Sequence, residues 1–69
     1  MVEVFKTNVH QEDHAARLLD TLGQTFPSFR SNFDLDDCDR ILRVEGHEVL
    51  PAKIIDVLRN KGFHCSVLD

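Results

Sequence analysis

The chain has 69 residues, 42% of them hydrophobic, which allows one small domain with a core two layers thick. Twelve acids against eight bases leave a net charge of −4, which argues against non-specific nucleic-acid binding and against docking on anionic lipid, both of which need a basic face. No apolar run approaches the roughly 20 residues of a membrane span, and the start MVEVFKTNV lacks a signal peptide's apolar stretch, so the expected compartment is the cytosol.

Val2 to Val9 alternates imperfectly, with Val2 and Val4 facing one way and Glu3 and Phe5 the other, and is expected to be a strand. Ala15, Leu18, Leu19, Leu22 and Phe26 then recur at three- and four-residue steps, which places them on one face of a helix. Glu12 and Asp13 stand in its first turn, where the helix dipole favours negative charge, and Gly23 and Pro27 bracket its end. Phe29 to Leu35 alternates cleanly as a half-buried strand, with Phe29, Ser31, Phe33 and Leu35 on one face. The run Asp36-Asp37-Cys38-Asp39 is a turn, since short polar side chains bond nearby backbone there. Arg40 to Glu45 returns as the second strand of a hairpin, with Leu42 and Val44 on one face, and Gly46 breaks it. Pro51 opens a second helix with Ile54, Ile55, Val57 and Leu58 on its apolar side, and Gly62 ends it. Phe63 to Leu68 is the last strand, with Phe63, Cys65 and Val67 on one face.

The order β-α-β-β-α-β predicts an α+β fold. Two interleaved right-handed βαβ units give a ferredoxin-like sandwich, a four-stranded antiparallel sheet of order 4-1-3-2 with two helices on one face. The other sheet face is expected to meet solvent through Glu3, Phe5, Arg43 and Glu45, a plausible docking surface. This topology gathers three connections at one end: Asn8 to Glu12, Asp36 to Asp39, and Lys61 to His64. His10, His14, His64 and Cys38 therefore lie at or near that end, while His47 belongs to the other.

With its elements in place, the chain resembles the heavy-metal-associated domain, the module of copper chaperones and of the N-termini of metal-pumping ATPases. Leu18 and Leu22 fall on that family's first-helix core positions. Asn32-Phe33-Asp34-Leu35 is similar to its second strand and Leu42-Arg43-Val44-Glu45-Gly46 to its third. Pro51 to Phe63, ending Arg59-Asn60-Lys61-Gly62-Phe63, is similar to its second helix and the aromatic that follows. The resemblance implies the fold above and a habit of docking through the first-loop end onto a like domain. It departs at the metal loop: the family's Gly and Met fall on Asn8 and Val9, and its two cysteines on Gln11 and His14. Lys6 stands where an apolar strand residue is usual. A pair of thiolates suits soft Cu(I), whereas an amide is a poor ligand and imidazole a borderline one, so thiolate exchange of copper is not carried over.

The expected function is a small binding or adaptor domain with a degenerate metal loop and no resident cofactor, meeting a protein partner through the loop end or the exposed sheet face, as a monomer or weak dimer. The alternative is a metal carrier using His10, His14 and His64, whose imidazoles suit Zn(II), Cu(II) or Ni(II), with Glu12 or Asp13 completing the shell. Exposed polar residues at a helix start account for the same histidines. A further alternative is an ACT-like small-ligand sensor, which uses the same element order. Cys38, among aspartates that disfavour its thiolate, is expected to be a poor nucleophile, and both cysteines to stay reduced. The acidic run lacks the ligand order of a calcium loop. Gly23, Gly46 and Gly62 are isolated, so there is no phosphate-cradling loop, and no Ser/His/Asp arrangement is legible; the chain is not read as an enzyme.

Overall fold

The computed structural model describes residues 1–68. Six elements follow in order: β1 (Val2–Thr7), α1 (Glu12–Thr25), β2 (Arg30–Asp34), β3 (Ile41–Glu45), α2 (Pro51–Asn60) and β4 (Cys65–Val67). The four strands form one antiparallel sheet of order β2-β3-β1-β4, the expected 4-1-3-2. Leu18 and Leu22 of α1 and Ile54 and Leu58 of α2 share one core with Phe5, Leu42, Val44 and Cys65 of the sheet, so both helices cover the same face.

Each helix forms for a local reason. In α1 the apolar stripe Ala15, Leu18 and Leu22 is buried, while Glu12 and Asp13 occupy the first turn beside the positive end of the dipole. Gln11 precedes that turn with extended backbone and makes no side-chain cap. Pro51 starts α2, where its missing N–H costs nothing. At the other end of α2, Phe63 N–H bonds Leu58 O (3.0 Å) and Gly62 N–H bonds Arg59 O (3.0 Å), with Gly62 at φ +90°. This pair of bonds is the Schellman arrangement, and it turns the chain sharply towards β4. Gly46 follows β3, and the Phe29 ring fills the space that a Cβ there would take, 2.3 Å away.

The first strand differs from its expected orientation. Phe5 is fully buried opposite Leu42, and the inward set continues through Thr7 and Val9. Glu3, opposite Val44, is half-buried on the same helix-facing side. Val2, Val4 and Lys6 instead share the outer face with Arg43 and Glu45, which are exposed as expected. The burial of an aromatic ring decides the orientation, because it removes the largest apolar area from water. The strands are also shorter than their apolar patterns. Val9, Phe29, Leu35, Phe63 and Leu68 lie just outside them, yet Val9 is fully buried and Phe29, Leu35 and Phe63 pack on the core.

A candidate functional site at the loop end

Strand direction brings the β1–α1 connection, the β2–β3 turn and the α2–β4 junction to one end, and two polar residues at the end of β1 tie them together. Thr7 is buried. Its Oγ1 donates to Arg40 O (2.6 Å) and accepts from Val9 N–H (3.2 Å), and its own N–H bonds Asp39 O (3.1 Å). Asn8 Oδ1 accepts the His64 N–H at 2.8 Å across 56 residues of sequence. The first loop is therefore fastened to the hairpin by Thr7 and to the start of β4 by Asn8.

The β2–β3 turn has its own restraints. Asp39 N–H bonds Asp37 Oδ1 (2.9 Å) and Arg40 N–H bonds Asp37 O (3.0 Å). Arg40 takes a left-handed backbone, φ 48°, and its guanidinium donates to Leu35 O. Lys6 Nζ stands 3.7 Å from an Asp39 carboxylate oxygen. Asp37, Cys38 and Asp39 are the one trio of potential ligand atoms within 4.8 Å of one another among the described residues. Two of its members already serve the turn and the Lys6 pair.

The candidate metal ligands have separate roles. His10 is exposed in the β1–α1 connection. His14 is half-buried on α1, its ring edge-on to Phe63 with centroids 5.5 Å apart. His64 is exposed and engaged through its backbone with Asn8. The three imidazoles lie towards the same end but form no ligand trio among the described residues. An open groove of about 630 Å³ runs past His14, lined also by Arg17, Leu18, Thr21, Lys61 and Phe63. Arg17 is engaged with Asp13 one turn away, at 3.6 Å.

Neither thiol can stand in for a thiolate pair. Cys38 is exposed on the turn and Cys65 is buried in the core. Burial pushes the Cys65 thiol up to about 11, against an opposing pull from Arg59. Gln11 and His14, at the start of α1, offer an amide and an imidazole, the latter held edge-on against the Phe63 ring. This donor set does not fit Cu(I). Thr7 and Asn8 were not among the expected site residues. The signal available in sequence was a polar pair at a strand end just before a hydrophobic residue, Val9, which turns out to be buried. A scan of protein-family models gave no match to this chain, and neither did a search of curated proteins.

Proposed function

We propose that the chain is a heavy-metal-associated-like binding module that acts in the cytosol as an adaptor, meeting its partner by surface contact rather than by sharing a soft metal. The observation that supports it is the chemistry of the first loop. An amide and an imidazole stand where copper transfer needs two sulfurs, and hydrogen bonds of Asn8 and Thr7 fasten the loop. Among the described residues the exposed carboxylates Glu12, Asp36 and Asp37 form no ion pair within the chain, whereas Lys6 and Arg17 are engaged by Asp39 and Asp13, so a basic partner surface fits these carboxylates.

The test is titration of the tag-free protein with Cu(I) under reducing conditions, and with Zn(II) and Cu(II) at pH 7.5, followed by NMR of the histidine side chains. The expected result is no stoichiometric Cu(I) binding, and weak shifts or line broadening that include His47 at the far end. Tight Cu(I) binding overturns the proposal. So does sub-micromolar Zn(II) or Cu(II) binding confined to His10, His14 and His64, which would assign a metal carrier instead.

A further inference from the structure

The sheet ends in two edges of different character. β4 is three residues long, too short to template much pairing. β2 is five residues, Arg30 to Asp34, with neither proline nor glycine. Edges of that kind recruit another strand unless something blocks them.

The ladder fixes which backbone groups of β2 are free. Gly46 N–H bonds Met1 O at 3.0 Å, which makes Met1 and Gly46 a hydrogen-bonded pair extending the β1–β3 register. In an antiparallel ladder such pairs alternate, so Glu3–Val44 and Phe5–Leu42 are the next ones. Leu42 and Val44 thus spend their main-chain groups on β1. Ile41, Arg43 and Glu45 are left to bond Asp34, Asn32 and Arg30. The backbone groups of Ser31 and Phe33 then point away from the sheet. Among the described residues, nothing outside the sheet bonds to them.

This edge is complementary to itself. If a second copy runs antiparallel with Asn32 opposite Asn32, Ser31 faces Phe33 of the other copy, and the reverse. Both are outward-pointing residues, so each such pair exchanges two hydrogen bonds. The same register sets Arg30 opposite Asp34 twice, on the outer face, where cross-strand charge pairs are favourable. Among the described residues, neither side chain lies within ion-pair distance of an opposite charge in its own chain. On the helix side the register brings the two half-buried Phe33 rings diagonally together. They meet beside a groove of about 350 Å³ whose apolar lining includes Ala16, Leu19 and Leu35.

We propose that two copies of this chain join through β2, antiparallel and centred on Asn32, to make one eight-stranded sheet. The proposal does not depend on the function of the loop end, with which the paired edge shares the groove residues Glu12 and Asp36. A basic extended peptide is the other occupant to consider, because Glu12, Asp34 and Asp36 rim the groove. The self-complementary spacing of Arg30 and Asp34 favours a second copy.

The test combines sedimentation equilibrium with site-directed crosslinking. The native chain is expected to show a concentration-dependent dimer. Arg30→Asp, at an exposed position, should weaken it about tenfold, since it sets like charges opposite each other twice. The exchange Arg30→Asp with Asp34→Arg should restore it, with circular dichroism unchanged throughout. In a Cys38→Ser background, Asn32→Cys should crosslink to itself under mild oxidation, because directly opposed strand residues match the separation a disulfide needs. Arg43→Cys, one strand further from the axis, should not. A chain that stays monomeric to millimolar concentration overturns the proposal, whether or not a basic peptide then binds at β2. A dimer indifferent to both charge variants, or Asn32→Cys crosslinking no faster than Arg43→Cys, overturns it as well.

Discussion

Thr7 shows how one hydroxyl sets the local order of the site. It occupies an inward strand position that an apolar side chain would ordinarily fill, and it is accommodated because its oxygen both donates to Arg40 O and accepts from Val9 N–H. Thr7→Val keeps the shape and removes both bonds, leaving Val9 N–H buried without a partner. Its expected cost is about 1–3 kcal/mol, read as a lower urea midpoint at unchanged slope, and Thr7→Ser should recover most of the loss. A Val variant as stable as the native chain would show that the hydroxyl carries no structural weight. The same residue explains why the orientation of the first strand was hard to read. With a polar residue at position 7 and valines at 2 and 4, alternation pointed the valines inward. The hydroxyl's two bonds, invisible in sequence, satisfy a polar residue on the buried Phe5-Thr7-Val9 face. Cys65 gives a second prediction at this scale. Its thiol is neutral in the fold until pH is about 11 and ionises earlier in the unfolded chain, near the ordinary 9. Between those values the unfolded state has lost a proton that the folded state keeps. Stability is therefore expected to fall as pH rises through that window, by up to about 1.4 kcal/mol per pH unit, and to be unaffected by this group below it. Urea midpoints measured across the window for the native chain and for Cys65→Ala should diverge in slope, and parallel slopes would refute the assignment.

Among the elements, helices were the most legible, because their signals are local. The three-and-four spacing from Ala15 to Leu22, Pro51 at the start of α2 and Gly62 after its end each act within a turn or two of the backbone they organise. Strand ends were less legible, since Phe29, Leu35 and Phe63 are apolar and packed on the core yet lie outside the ladder. Burial and strand pairing are different demands, and an alternating pattern reports only the first. Two glycines in helical surroundings carry opposite predictions. Gly62 has φ +90°, a conformation that L side chains rarely adopt, and it donates one of the bonds that close α2. Gly62→Ala should cost about 1–2 kcal/mol. Gly23 sits in α1 with nothing within 4 Å of where a Cβ would stand. There alanine relieves the entropy cost of glycine in a helix, and Gly23→Ala should add about 0.5–1 kcal/mol. At this chain length each kcal/mol moves the melting temperature by roughly 4–8 °C, so calorimetry on the two variants should show shifts of opposite sign. Shifts of the same sign would contradict the backbone assignment at one of the two positions.

For the whole molecule, topology did more than any motif. The element order alone brought the three connections together, and with them His10, His14, His64 and Cys38. It could not say that Asn8 and Thr7 would fasten those connections, because each bond joins segments far apart in sequence and depends on where a single oxygen points. The closing strand sharpens the point. β4 is three residues long, yet it pairs Cys65 with Thr7, Ser66 with Lys6 and Val67 with Phe5, and Leu68 N–H bonds Val4 O at 2.9 Å. It thereby makes β1 an interior strand and shuts the core beside α2. A domain of this size has a margin of only about 3–5 kcal/mol from a single core. Deleting residues 65–69 removes the main-chain bonds on one side of β1 and the buried Cys65 side chain together. Each exposed polar or apolar group costs on the order of 1 kcal/mol, so their sum consumes that margin. The truncated chain is expected to lose its sigmoidal urea transition and the dispersion of its amide NMR spectrum, even though both helices and the β2–β3 hairpin remain encoded in it. A dispersed spectrum and a sharp transition from the truncated chain would mean that the hairpin and helices hold the fold unaided, and that β4 is an accessory to the sheet.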